Sequence, residues 1–222
     1  MAEAKVTGKT KAVALAPIVY IVDDDESMRE ALADLFHSMK IEANAFETAQ
    51  AFLDGADLDR PGCILLDVRL PGLSGLDFQG HLDRMGSRLP IIFMTGFGDI
   101  PMSVKAMKAG AVDFLTKPFR EQDILDSVTA ALEKDSRRRL ETAASDAVAA
   151  LAETLTPRER EVMASVVKGL MNKQIAFDLG ISEVTVKFHR GKVMRKMQAA
   201  SIGELIRIWE SLPTLKREAC AT

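Results

Sequence analysis

The chain has 222 residues, a formal net charge of −3 and two cysteines. That length can bury a real core without disulfide staples and suggests one or two domains. Cys63, in an apolar run, and Cys220, in the tail, are too far apart to suggest a disulfide framework or a cysteine metal pair, which points to a reducing, intracellular compartment.

Residues 1–16 read as a flexible basic leader, because their apolar run is too short for a signal peptide. Short apolar runs then alternate with helix-spaced stretches. The runs are "IVYIV" (18–22), the weaker "IEANAF" (41–46), "CILLDV" (63–68), "PIIFMT" (90–95) and "AVDFLT" (111–116). Between them, 26–39, 47–54, 74–85, 101–109 and 120–134 carry helical spacing. Strands alternating with helices predict a parallel sheet covered on both faces, an α/β fold. Helical spacing continues beyond 134, although the charged run "KDSRRR" (134–139) interrupts the apolar stripe. One long helix and two helices about a joint both fit.

"LTPRERE" (155–161) is a helix start, with Thr156 placed to cap and Pro157 at the first helical position. Four helices are expected after it, at about 158–168, 172–179, 183–197 and 201–210, with no further strand. Charge divides with the pattern. Residues 17–134 hold 20 acids and 11 bases, a net of −9, whereas 156–217 hold 12 bases and 6 acids, a net of +6. A basic helical block can serve nucleic acid, and the acidic block cannot easily do so.

In an open parallel sheet, ligands bind outside the carboxyl ends of the strands. Those ends carry Asp23, Asp24 and Asp25 on the first strand, Asp67 on the third, Thr95 on the fourth and Lys117 after the fifth. Two carboxylates about 5 Å apart repel by roughly 3 kcal/mol at an effective dielectric of 20, so such a cluster calls for a cation. Hard oxygen ligands beside a lysine suit Mg²⁺ and phosphoryl transfer to a carboxylate. An aspartate alone at a strand end is usually a turn or helix cap, which is the reading favoured for Asp25 and Asp99.

"YIVDDDES", "ILLDVRLPGLSG", "FMTGFGD" and "AVDFLTKPF" together resemble the receiver domain of two-component response regulators, over residues 17–134. The resemblance implies a flavodoxin-like five-stranded receiver. In it Asp23 and Asp24 would hold Mg²⁺ (or Mn²⁺) with Asp67 and the backbone carbonyl of Arg69. Asp67 would accept the phosphoryl group, Thr95 and Lys117 would contact it, and Lys117–Pro118 would be a cis peptide. Phe114 takes the place of the switch aromatic and, lacking a hydroxyl, must signal by packing.

"NKQIAFDLGISEVTVKFHRGKVMRKM" (172–197) reads as helix, tight turn and basic helix, with Gly180 at the turn and Ser182 as N-cap. It resembles the LuxR-type helix-turn-helix over about 155–212, making the whole chain similar to the NarL/FixJ family, nearest its FixJ branch. By that resemblance Lys187, Phe188 and Gly191 would face base edges, while Lys173, Thr185, Arg190 and Lys192 would touch phosphates. Gly191 lies inside a helix at a cost of about 1 kcal/mol against Ala, so a close approach is expected there. For His189 a packed imidazole and a DNA contact stand level.

The expected organisation is a leader (1–16), a receiver (17–134), a helical linker (135–154), an all-α four-helix DNA-binding domain (155–212) and a tail (213–222). The expected function is a cytoplasmic, phosphorylation-controlled transcriptional regulator, not an enzyme beyond slow self-dephosphorylation. Expected partners are a sensor histidine kinase, double-stranded promoter DNA and a second copy on phosphorylation, with RNA polymerase a further candidate and no membrane. The alternatives are a phosphorylation-independent DNA-binding dimer and a Mg²⁺-dependent phosphohydrolase.

Overall fold

The structure is a computed structural model describing residues 15–96 and 100–212. Most of the leader, Asp99, Cys220 and the rest of the tail lie outside the described residues. The chain divides into two compact units, 1–137 and 138–222.

The first unit contains strands β1 (Ile18–Val22), β2 (Glu42–Phe46), β3 (Gly62–Asp67), β4 (Ile91–Thr95) and β5 (Asp113–Thr116). They form one parallel sheet in the order β2-β1-β3-β4-β5. Helices α1 (Glu26–Ser38), α2 (Ala49–Gly55), α3 (Gly75–Arg84) and α4 (Ile100–Lys108) alternate with the strands, and α5 (Glu121–Glu153) follows the last. The strands read as continuous apolar runs because both faces are buried. Tyr20, Ile64, Leu66 and Phe93 point to one face, where Phe52 of α2 and Phe78 and Leu82 of α3 cover them. Val19, Ile21, Cys63, Leu65 and Ile92 point to the other, against Leu32 and Phe36 of α1 and Ile124 and Val128 of α5. Burial pushes the Cys63 thiol up to about 12, so it is an inert core residue. The Lys117–Pro118 peptide is cis.

Of the two readings of 134–139, α5 realises the single helix, 33 residues long. The charged run does not break the stripe, because Asp135 turns inward. It is 1% exposed, and its Oδ2 accepts the Gly62 N–H at 3.1 Å. Four residues after the buried Ala131, the carboxylate continues the inward face and satisfies a buried donor where β3 begins.

The second unit contains α6 (Pro157–Val167), α7 (Asn172–Leu179), α8 (Glu183–Lys196) and α9 (Ile202–Ser211). Thr156 and Glu159 form the capping box at the start of α6. Gly180 ends α7 in the left-handed region at φ 63°, which a residue with a Cβ adopts only under strain. Ser182 then caps α8 by accepting the Thr185 N–H. Ile175, Ala176, Val186, Val193, Met197 and Leu205 build the core. Among the described residues no helix is long and apolar enough to cross a membrane.

Candidate functional site

The sheet order reverses between β1 and β3, and the acidic groups gather at the carboxyl end of that crevice. Asp23 follows β1, Asp67 ends β3, Thr95 ends β4 and Lys117 follows β5. Parallel pairing sets Val22 beside Leu66, Asp67 beside Met94 and Thr95 beside Thr116, so groups distant in sequence reach one rim. Lys117 Nζ donates to Asp23 Oδ2 at 2.5 Å and to Asp67 Oδ2 at 2.7 Å. The Arg69 N–H donates to Asp67 Oδ1 at 2.9 Å, and the Asp25 N–H to Asp23 Oδ1 at 3.0 Å. Carboxylate oxygens of Asp23, Asp24 and Asp67 lie within 4.8 Å of one another. Among the described residues this sets three carboxylates close to the Lys117 ammonium, and an all-oxygen donor set suits a hard divalent cation.

Burial raises the Asp23 pKa above the usual carboxylate range. Hydrogen bonds from Lys117 and the Asp25 amide oppose the rise, and the charge of Asp67 adds to it. Burial by itself would lower the Lys117 pKa, but its bonds to Asp23 and Asp67 prevail, and the pKa is raised. Lys117 is therefore an ammonium throughout the neutral range. Thr95 is fully buried, and its carbonyl accepts the Lys117 N–H at 2.7 Å. Phe114 packs half-buried, 6.3 Å from Phe93 between ring centroids. Asp25 is the N-cap of α1, accepting the Met28 N–H, as its cap reading expects. Two supports were not foreseen. Arg29 Nη1 holds the Asp23 carbonyl at 2.9 Å, and Gly75, at the start of α3, lets the helix approach the Asp67 backbone.

On the second unit, α8 turns Val186 and Val193 inward and leaves Lys187, Phe188, Gly191 and Arg195 exposed. Several candidate residues already have partners. Arg190 Nη1 bonds Asn172 Oδ1 at 2.9 Å, the Thr185 hydroxyl pairs with Ser182 Oγ at 2.8 Å, and Lys192 Nζ lies 4.4 Å from the Phe188 ring centroid. Lys173 is exposed on α7. His189 is partly buried, 5.6 Å from Phe188 between centroids, which favours its packed reading. A Cβ at Gly191 would meet nothing within 4 Å, so among the described residues no close approach explains that glycine.

Two family models match the chain. The response regulator receiver domain matches residues 19–129, and the LuxR family of bacterial regulatory proteins matches residues 153–209. The chain is 53% identical to nodulation protein W of Bradyrhizobium diazoefficiens over 92% of this chain and 90% of that protein. It is 46% identical to the transcriptional regulatory protein FixJ of Azorhizobium caulinodans, over 86% and 90%. Among solved structures, response regulator StyR superposes with a TM-score of 0.81 at 44% identity, covering 88% of this chain and 99% of that one. The chain belongs to the response regulators of the NarL/FixJ type. It combines a receiver domain with a LuxR-type DNA-binding domain, and its relatives are transcriptional regulators of two-component systems.

Within this response regulator the end of α8 is fastened to the start of α6. Lys196 Nζ donates to Glu159 Oε2 at 2.6 Å and to the Thr154 carbonyl at 2.8 Å, while Glu159 also accepts the Thr156 N–H. Burial works against the Glu159 charge, but these donors prevail and hold its pKa below the ordinary value of 4.5. Glu159→Ala is expected to destabilise the DNA-binding domain by about 2 kcal/mol in urea unfolding, since it removes the capping-box acceptor and the charge-assisted bond from Lys196. A depressed carboxylate pKa contributes stability above pH 4.5 that is lost as pH falls through the folded value. The gap between wild type and variant should therefore narrow on acidification.

Proposed function

We propose that this response regulator takes a phosphoryl group on Asp67 from a sensor histidine kinase, and that phosphorylation promotes pairing of two copies and binding of α8 to promoter DNA. The observation that carries the proposal is the lysine shared between Asp23 and Asp67 beside a third carboxylate, at the carboxyl ends of the strands. An Asp67 oxygen attacks phosphorus in line, the phosphorus–nitrogen bond to the kinase histidine breaks, and the freed imidazole nitrogen is protonated. Lys117 places its ammonium 2.7 Å from that carboxylate, where transferred negative charge accumulates. Asp23, Asp24, Asp67 and the Arg69 backbone carbonyl would hold Mg²⁺ (or Mn²⁺), which when bound offsets charge on the phosphoryl oxygens. Thr95 turns its hydroxyl toward the new oxygens, and Phe114 follows by packing alone.

The proposed DNA contacts are Lys187, Phe188 and Gly191 at base edges and Lys173, Thr185, Arg190 and Lys192 at phosphates. Residues 17–134 act as receiver, 135–154 as helical linker and 155–212 as DNA-binding domain. The protein works in the cytoplasm, contacts RNA polymerase when bound, and catalyses no turnover beyond slow loss of its own phosphoryl group.

The test treats wild type and Asp67→Ala with an acyl phosphate and magnesium. Intact mass, gel-filtration mass and promoter affinity are read together. Wild type is expected to gain one phosphoryl group, a larger hydrodynamic size and tighter DNA binding, and Asp67→Ala none of these. A variant that responds like wild type removes Asp67 from the switch.

A further inference from the structure

The solvent face of α8 is not uniformly polar. Val184 is 76% exposed and Phe188 is 59% exposed. They lie four residues apart with Lys187 between them, and Gly191 continues the same face one turn on. Apolar side chains at this exposure do not stabilise the domain, and large ones on a helix face mark a surface that something covers. The charges around them say what that is. From Val184 to its end, α8 carries Lys187, Arg190, Lys192, Arg195 and Lys196 and no acid, so the occupant is a polyanion that also offers apolar groups. In the major groove the apolar groups of duplex DNA are the 5-methyls of thymine, which project from the base edge.

We propose that Val184 and Phe188 read two thymine 5-methyl groups, and that this apolar pair contributes sequence preference alongside the cationic residues. The proposal rests on α8 being the helix that enters the groove, and it adds Val184 to the reading residues. Spacing supports it. Four helical residues advance about 6 Å, close to two base steps of about 3.4 Å each, so a helix lying along the groove meets methyls about two base pairs apart. Both side chains are held ready. Val184 is β-branched and stiff at χ1, in the first turn of a helix capped by Ser182. One face of the Phe188 ring is taken by the Lys192 ammonium at 4.4 Å, and His189 lies 5.6 Å away, which limits the ring's freedom. Gly191 raises no side chain beside Phe188, so the ring can approach a methyl without competition from its own helix.

The test begins with duplexes selected from a randomised pool by the full-length protein in the presence of an acyl phosphate and magnesium. The selected duplex is then remade with uracil at one thymine at a time, which removes only the methyl. Two thymines about two base pairs apart are expected to lose about fourfold in affinity each, the worth of one buried methyl. Val184→Ala should abolish the sensitivity at one of them and Phe188→Ala at the other. Both positions are exposed, and an unchanged urea midpoint checks that each variant folds. If uracil is tolerated at every thymine while the duplex still binds, the methyl reading falls and DNA binding by α8 stands. Selected duplexes without recurring thymines overturn it equally. If no duplex is retained in a salt-dependent way, the DNA-binding reading falls, and this inference with it.

Discussion

Lys117→Met is expected to slow phosphoryl incorporation on Asp67 by about 10²–10³-fold, the usual cost of removing one preorganised donor from developing charge. Methionine fills the same volume without the ammonium, so the loss is electrostatic. The same substitution leaves Asp23 and Asp67 facing each other without the hydrogen bonds at 2.5 and 2.7 Å that hold them. Breaking a buried pair by removing one partner is expected to cost about 3 kcal/mol in the receiver domain at pH 7. The pH dependence separates the two effects. In wild type the raised Lys117 pKa gives stability that is complete below pH 10.5, its ordinary value, and is lost only in alkali. In the variant Asp23 loses its principal opposing group, so its pKa, already raised by burial, rises further. A carboxyl with a raised folded pKa favours the fold below its ordinary value of 3.8 and loses that advantage as pH climbs through the folded value. In thermal unfolding, the stability that Lys117→Met loses relative to wild type should therefore shrink as pH falls from 7 toward 3.8. Millimolar magnesium at pH 7 should raise its midpoint more than that of wild type. A variant with wild-type midpoints across this range would show that the lysine does not hold the two carboxylates.

Much of this site could be read in the sequence, because strand ends in a parallel sheet are fixed by period and punctuation. Asp23, Asp67, Thr95 and Lys117 each follow or close an apolar run, and the sheet order brings those ends together. What escaped depends on neighbours remote in the chain. Asp135 sits in a charged run that reads as an interruption, yet it faces inward because Gly62, 73 residues away, offers a buried amide. Arg190 and Lys192 carry charges that suit phosphates. The structure gives one to Asn172 and sets the other over Phe188, pairings that spacing alone does not reveal. Val184 lacked any motif, and its signal was a β-branched residue four positions before Phe188 on a helix otherwise charged outside. Gly191 lies inside α8, as its spacing in the sequence predicts. Among the described residues no neighbour approaches it closely, which leaves the expected close approach to a bound partner.

Gly75→Ala carries the second large effect, and its reach into the site comes from geometry. A Cβ there would lie 2.4 Å from the Asp67 carbonyl oxygen and 3.0 Å from Val68 Cα. Both are backbone atoms, so no change of rotamer relieves the contact. The Gly75 N–H bonds the Val68 carbonyl at 2.8 Å, which ties the start of α3 to the same strand end it would strike. Either α3 withdraws or the end of β3 shifts, and a shift moves the Asp67 carboxylate against Lys117. Displacement of about 1 Å at a reacting group can cost 10²-fold, so phosphoryl incorporation should fall by about that factor. Overpacking should lower stability by about 3 kcal/mol. Gly62→Ala supplies the control, because its Cβ would lie 2.2 Å from the Ile18 carbonyl oxygen at the other end of the same strand. It should destabilise the receiver to a similar degree in urea. Its rate of phosphoryl incorporation, corrected for the folded fraction, should stay within a few-fold of wild type. If both variants slow equally after that correction, the rate loss follows general softening of β3, and Gly75 has no particular part in placing Asp67.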